Sequence, residues 1–120
     1  MSVLIHPTAV VEDGAALGEG VEIGAFCRVG PKVEIGDRTR LVSHVVVDGR
    51  TRIGADAVLH PFSALGLPPQ DFKYADEDTA LFVGDRVVVR EHVTFHRGTL
   101  ARGETRVGSD GYFMVGAHVG

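Results

Sequence analysis

An apolar residue recurs at every sixth position along most of this chain. The series runs from Ile5 to Leu65 and, after an interruption, continues in the same phase from Val83 to Val119. A helical period of 3.6 would scatter positions six apart around the axis, whereas short strands keep alternate side chains on one face. The repeat therefore predicts strands of two or three residues whose third residue in each unit points inward.

Three such units make a triangular coil of about 18 residues, so that strands of successive coils stack about 4.8 Å apart. The predicted fold is all-β, a single-stranded parallel β-helix built of hexapeptide repeats that occupies residues 1–120 as one domain. An antiparallel sheet protein would need strands about 8 to 12 residues apart. We expect the glycine that follows half of the inward residues to let the chain turn each corner. The three predicted interior columns are Ile5, Ile23, Leu41, Leu59; Val11, Val29, Val47, Leu65; and Leu17, Ile35, Ile53.

The repeat is interrupted between Leu65 and Val83, where the positions in phase are Asp71 and Glu77. We expect one loop at about 67–80 to leave the solenoid. Since the phase is kept, the loop is either a twelve-residue extrusion or one distorted coil. Its prolines, amides, charges and aromatics make it a candidate binding element, with a solvated loop as the alternative. A weaker unit at 98–105, with only Ala101 to fill the interior, is expected to bulge outward.

Composition excludes several classes of protein. Twelve Lys and Arg against sixteen Asp and Glu, with no basic run, argue against nucleic acid as a partner. No apolar stretch approaches the roughly 18 to 20 residues of a membrane span, and the N-terminus lacks the features of a signal peptide, so we expect a cytoplasmic protein without membrane insertion. Cys27 is the only cysteine and is expected to be a small buried core residue.

Two of the six histidines, His96 and His118, are expected to point outward, because each is adjacent to an inward residue. An isolated outward histidine is usually a solvated or interface residue. A zinc site would need three donors that converge, as in trimeric β-helix carbonic anhydrases. His92 and His96 are four residues apart, a spacing that does not guarantee a common face on a strand and corner.

Five segments follow one another in an informative order. They are His6-Pro7-Thr8-Ala9-Val10-Val11, Pro69-Gln70-Asp71-Phe72-Lys73-Tyr74, Arg90-Glu91-His92-Val93-Thr94-Phe95-His96-Arg97-Gly98-Thr99, Val107-Gly108-Ser109-Asp110 and Ala117-His118-Val119. In this order, and over all 120 residues, the sequence resembles the UDP-N-acetylglucosamine acyltransferase family of hexapeptide-repeat transferases. The resemblance implies a left-handed β-helix, a cytoplasmic homotrimer, and no metal or organic cofactor.

The activity that this resemblance implies is transfer of a 3-hydroxyacyl chain from acyl carrier protein to the 3-hydroxyl of UDP-N-acetylglucosamine, the first step of lipid A biosynthesis. A histidine acts as general base. By motif spacing it would fall just after Gly120, so no catalytic residue is expected within the 120 residues. Further coils and a C-terminal helical domain of the family would also be absent, and we expect the chain by itself to be inactive.

The resemblance also assigns substrate-binding residues that contact the sugar nucleotide and acyl chain. Lysine suits a phosphate, aspartate accepts from sugar hydroxyls, and glutamine both donates and accepts hydrogen bonds. Two alternatives remain, a non-catalytic β-helix scaffold or sugar-nucleotide-binding module and, less favoured, a relative of zinc γ-class carbonic anhydrases. The assigned residues are Gln70, Asp71, Lys73, His96 and His118.

Overall fold

The chain is a left-handed parallel β-helix, as expected. The computed structural model describes residues 3–67, 80–96 and 104–119. In these ranges the strands form three parallel sheets, and no helix is long and apolar enough to cross a bilayer. The first sheet contains β1, β4, β7, β10, β13 and β16, the second contains β2, β5, β8, β11, β14 and β17, and the third contains β3, β6, β9, β12 and β15. The strands are β1 Leu4–Ile5, β2 Val10–Val11, β3 Ala16–Leu17, β4 Glu22–Ile23, β5 Arg28–Val29, β6 Val33–Ile35, β7 Arg40–Leu41, β8 Val46–Val47, β9 Arg50–Ile53, β10 Val58–Leu59, β11 Ala64–Leu67, β12 Ala80–Val83, β13 Val88–Val89, β14 Thr94–His96, β15 Glu104–Val107, β16 Tyr112–Phe113 and β17 His118–Val119.

The strand register confirms the stacking of the three predicted columns, although Ile5, in the first coil, is exposed rather than interior. In the first sheet Ile5 pairs with Ile23, and Leu41 pairs with Leu59, so each residue lies above the residue one coil earlier. The other two columns pair in the same way in the second and third sheets. Each fully buried leucine removes apolar surface from water that is worth roughly 1.5–3 kcal/mol. The core is therefore a stack of aliphatic layers along the axis.

The first residue of most described units also faces inward and is small or β-branched, with Leu81 as a larger exception. Cys27 occupies such a position and is 2% exposed, which confirms its predicted core role. Burial raises the pKa of the Cys27 thiol, because the thiolate would lose its hydration. The neutral thiol therefore packs as an apolar group among the aliphatic layers.

The register also settles the nature of the interruptions. Leu59 pairs with Val89, thirty residues later, so twelve residues more than one 18-residue coil are inserted. The alternative of one distorted coil is wrong. Val89 pairs with Phe113, twenty-four residues later, so a second insertion adds six. Both insertions are shorter than the loops expected at 67–80 and 98–105. Leu67 and Ala80 lie in strands, and Thr105 is buried within β15.

The glycines after the inward residues have a different role from the one expected. Gly36 and Gly54 do not have a positive φ, and a Cβ on Gly36 would lie 2.6 Å from the carbonyl carbon of Gly54. These glycines are needed because successive coils approach too closely there for a side chain. The left-handed backbone of the corners is instead adopted two residues later, mostly by larger residues. Within the described ranges, eight non-glycine residues have φ between 52° and 64°: Phe26, Arg38, His44, Asp56, Phe62, Arg86, His92 and Asp110.

The corner between the first and second sheets carries a column of four stacked rings, which we call the ring column: Phe26, His44, Phe62 and His92. Neighbouring ring centroids are 5.1, 5.0 and 5.5 Å apart. A left-handed residue other than glycine costs roughly 1–2 kcal/mol. Ring stacking offsets part of this cost, as do hydrogen bonds between coils such as the one donated by the His44 amide to the Ala25 carbonyl at 2.9 Å.

The corner between the third and first sheets carries alternating charges, which we call the charge column: Arg38, Asp56, Arg86 and Asp110. Arg38 binds Asp56 through two nitrogens at 2.8 and 3.1 Å. Arg86 binds Asp110 in the same manner at 2.6 and 3.1 Å. Hydrogen bonding to these guanidinium groups lowers the pKa of both aspartates. This corner is polar, in contrast to the ring column, and both columns are exposed.

Candidate functional site

Thr94 of β14 and His118 of β17 lie on the outer face of the second sheet. They are partners in the parallel register, and the next pair, Phe95 and Val119, faces the core. Since strand side chains alternate, Thr94 and His118 point outward together. His118 is exposed, as its place in the repeat predicts.

A short hydrogen bond joins these two side chains. The Oγ1 atom of Thr94 lies 2.6 Å from Nδ1 of His118. A hydroxyl can either donate to or accept from an imidazole nitrogen, so the contact suits each protonation state of the ring. The second ring nitrogen, Nε2, makes no hydrogen bond with the residues that the structure describes.

His96 lies beside this pair and differs from the expectation, since it is only 8% exposed. His96 is therefore a buried residue rather than the solvated one that is usual for an isolated outward histidine. The ring of His118 packs edge-on against it, with centroids 4.7 Å apart and planes inclined by 76°. Its backbone neighbour in β11 is Leu67. These contacts come from residues 22 and 29 positions away, which a local pattern does not reveal.

Burial lowers the pKa of His96 below its ordinary value of 6.5, and the nearby charge of protonated His118 lowers it further. His96 is therefore uncharged at neutral pH. A neutral imidazole offers one donor and one acceptor, which suits hydroxyl, amide or phosphate oxygens. Together His96, His118 and Thr94 form a compact group of hydrogen-bonding side chains on the outer face.

β11 and β14 are neighbouring strands of the second sheet, and their last residues, Leu67 and His96, are partners in the register. Gly66, just before the end of β11, has φ of +81°, and a Cβ there would contact the Asp48 carbonyl oxygen and Thr51, so this position requires glycine. The register also shifts between Leu65 and Leu67. The predicted residues Gln70, Asp71 and Lys73 lie outside the described residues.

Elsewhere on this face, charged groups are already paired. Arg28 of β5 contacts Asp48 at 2.9 Å and Glu12 at 3.3 Å. Near His96, in contrast, Thr94 and His96 itself are uncharged at neutral pH, and His118 is exposed to solvent. The end of the sheet formed by β14 and β17 is therefore the part of this face that can accept a polar ligand without breaking an ion pair.

The remaining histidines do not join the group. His92 stacks on Phe62 in the ring column, so His92 and His96 do not share a face. In residues 3–67, 80–96 and 104–119 no three side chains of metal-binding type come together. The described residues therefore give the zinc interpretation no ligand set.

Sequence reasoning missed Thr94 and the ring column. Thr94 occupies the same place in its unit as His118, but it precedes His118 by 24 residues rather than 18. Its position could be recognised only once the second insertion was known to add six residues. The ring column was visible as the series Phe26, His44, Phe62 at intervals of 18.

Comparison with known proteins agrees with this architecture. The profile of the family "Bacterial transferase hexapeptide (six repeats)" matches residues 17–49. UDP-N-acetylglucosamine O-acyltransferase of Moraxella catarrhalis matches with a TM-score of 0.94 and 42% identity over 96% of this chain and 45% of that one. The Bacteroides fragilis UDP-N-acetylglucosamine acyltransferase matches with a TM-score of 0.94 and 37% identity over 97% of this chain and 46% of that one.

A sugar N-acetyltransferase superimposes less well on this chain. The perosamine N-acetyltransferase of Caulobacter crescentus, as its H141N mutant, reaches a TM-score of 0.53 with 29% identity over 97% of this chain and 50% of that one. The coil geometry is therefore closer to that of the two O-acyltransferases. This chain spans less than half the length of each of those O-acyltransferases.

Proposed function

Since the chain belongs to the hexapeptide-repeat transferase family, and within it is similar along nearly its whole length to UDP-N-acetylglucosamine acyltransferases, we propose that it forms the substrate-binding β-helix of such an enzyme. The observation that carries this proposal is the group of Thr94, His96 and His118 on the outer face of the second sheet. It lies where the neighbouring strands β11 and β14 end. A sugar nucleotide needs hydrogen-bonding groups of this kind.

The proposed reaction moves a 3-hydroxyacyl chain from acyl carrier protein to the 3-hydroxyl of UDP-N-acetylglucosamine, the first step of lipid A biosynthesis. A histidine base removes the hydroxyl proton, the oxygen attacks the thioester carbonyl, and the carrier thiol leaves with a proton. Such a transfer needs a base and stabilisation of the tetrahedral oxyanion, and no electron transfer. The proposal therefore includes no metal and no organic cofactor.

In this proposal His118 and His96 contact the bound substrate and neither is the base. His118 is the exposed member, and its Nε2 can bind a substrate oxygen. His96 is the buried, uncharged member that supports it. Gln70, Asp71 and Lys73 follow Leu67 by three to six residues, so the segment that contains them starts at the His96 end of the sheet. Their amide, carboxylate and ammonium groups match the hydroxyls and diphosphate of the ligand.

We further propose a cytoplasmic homotrimer in which the substrate binds between neighbouring subunits. The distribution of exposed apolar side chains supports an assembly. Among the described residues, the exposed large apolar side chains all lie on the first sheet, the second sheet or the corner between them. They are Leu4, Ile5, Val10, Phe26, Phe62, Tyr112, Met114 and Val115.

Calorimetric titration of the 120-residue chain with UDP-N-acetylglucosamine tests the proposed function. We expect saturable binding that weakens about tenfold in His118→Ala, since one lost hydrogen bond is worth roughly 0.5–1.5 kcal/mol and 1.4 kcal/mol is a factor of ten. His6→Ala, on the first coil at the opposite end, is the matched control and should bind like the wild type.

Two results would count against the proposal. Wild-type chain that shows no saturation at millimolar ligand would favour the alternative of a scaffold without a sugar-nucleotide site. Undiminished affinity in His118→Ala would place the ligand elsewhere on the β-helix.

A further inference from the structure

The contact between Thr94 and His118 links a substrate-facing histidine to a residue with no assigned role. The 2.6 Å separation between Oγ1 and Nδ1 is at the short end for a hydrogen bond. Both residues are held by the parallel pairing of β14 with β17. Threonine is β-branched, so its χ1 angle is restricted and its hydroxyl has few directions available. The backbone therefore presents the hydroxyl to Nδ1 in a preset position.

A second side chain of β14 also contacts the His118 ring. His96 packs edge-on against it at 4.7 Å and is itself buried. The imidazole of His118 therefore contacts both the Thr94 hydroxyl and the His96 ring. Of its two nitrogens, Nδ1 is occupied by Thr94, which leaves Nε2 for a ligand.

We infer that Thr94 is a positioning residue of the site, whose hydroxyl holds the His118 imidazole by Nδ1 so that Nε2 faces the sugar nucleotide. The part of this inference that concerns the ligand rests on the proposed function. Thr94 acts through His118 and does not touch the substrate. Because its hydroxyl can both donate and accept, it keeps the ring in place whether the imidazole is neutral or protonated. Valine would fill the same space without that bond.

The first coil offers a matched pair for comparison. Thr8 Oγ1 lies 2.8 Å from Nδ1 of His6 at the other end of the solenoid, where it also accepts a hydrogen bond from the Phe26 amide at 2.9 Å. The effect of removing a hydroxyl from a Thr–His pair can therefore be compared between the site and a remote position in one protein.

The binding experiment uses Thr94→Val, Thr94→Ser and Thr8→Val in the 120-residue chain, titrated with UDP-N-acetylglucosamine. We expect Thr94→Val to bind about 3- to 10-fold more weakly, the loss that one hydrogen bond gives. Thr94→Ser and Thr8→Val should stay within about twofold of the wild type. In His118→Ala the added Thr94→Val change should cause no further loss, because residues that act through one contact are not additive. Equal affinity of Thr94→Val and wild type, or additive losses in the double variant, would overturn the inference.

A second measurement needs no ligand and separates this inference from the proposed function. Long-range 1H–15N NMR of the imidazole rings reports the hydrogen bonding and tautomer of His118. Thr94→Val should change the nitrogen shifts of His118, whereas Thr94→Ser and Thr8→Val should leave them as in the wild type. Unchanged shifts in Thr94→Val would refute the positioning role even if the nucleotide binds. Changed shifts in a chain that does not bind the nucleotide would uphold the hydrogen bond and reject the proposed function.

Discussion

At the scale of single residues, His96 and His118 show how the environment gives two identical side chains a different exposure to solvent. Both were predicted to point outward, and only His118 is exposed. The ring of His118 and the neighbouring strand β11 cover His96, so His96 loses its hydration. Desolvation disfavours the charged form of a histidine, so the buried ring stays neutral while the exposed ring meets the solvent.

The lowered pKa of His96 predicts a stability that depends on pH. The unfolded chain takes up a proton at this histidine near its ordinary pKa of 6.5, whereas the folded chain resists protonation until the pH is lower. Below 6.5 the unfolded state therefore binds more protons, and the free energy of unfolding falls as the pH falls through the folded pKa. Urea denaturation from pH 7.5 to pH 5 should show this fall in the wild type and a shallower one in His96→Gln.

Ser43→Ala removes no titrating group and serves as the control for that comparison. Its pH profile should parallel that of the wild type. If His96→Gln also runs parallel to the wild type over the whole range, the buried histidine does not resist protonation in the way described.

At the scale of elements, different residues allow the close approach between successive coils and the turns at the corners of each coil. The glycines of the repeat lie where one coil contacts the backbone of the next, and the corners are made by larger residues that stack or form ion pairs. Gly36 and Gly108 hold the same position in their units but differ in surroundings. A Cβ on Gly36 would lie 2.7 Å from the Ala55 nitrogen, whereas a Cβ on Gly108 would have nothing within 4 Å.

This difference predicts unequal effects of the same substitution. Gly36→Ala should lower the free energy of unfolding by about 1–3 kcal/mol, the usual cost of overpacking, because backbone atoms cannot yield. Gly108→Ala should change it by less than about 0.5 kcal/mol. Urea denaturation of both variants measures this, and similar losses in the two would show that the glycines act through backbone flexibility rather than close approach.

At the scale of the whole molecule, the β-helix has an apolar side and a polar side. The exposed large apolar side chains lie on the first sheet, the second sheet and the ring column between them, while the corner between the third and first sheets carries the charge column. Large exposed apolar patches on soluble proteins commonly mark interfaces. The ring column is the natural centre of the proposed trimer contact.

Substituting a central ring by a charge should therefore dissociate the assembly. We expect the wild type to sediment as a trimer and Phe62→Arg as a monomer, because an unpaired guanidinium buried in an apolar contact is costly. Arg52→Glu reverses a charge on the exposed outer face of the third sheet and should remain trimeric. A monomeric wild type at micromolar concentration contradicts the proposed trimer. If Phe62→Arg remains a trimer, the contact between subunits lies elsewhere than at the ring column.

The repeat alone determined the parallel β-helix, its three interior columns and the burial of Cys27, because the six-residue period and strand alternation decide locally which side chains face inward. The resemblance that the comparisons confirm was also legible in the sequence, in its loop and histidine motifs. Tertiary structure decided the insertions, which add twelve and six residues. Both interruptions were visible in the pattern, but their lengths are multiples of the repeat and leave its phase unchanged, so only the strand register fixed them. Which residues meet across coils depends on those lengths, and for this reason the burial of His96 and its neighbours, and the bond between Thr94 and His118, appeared only in the folded chain.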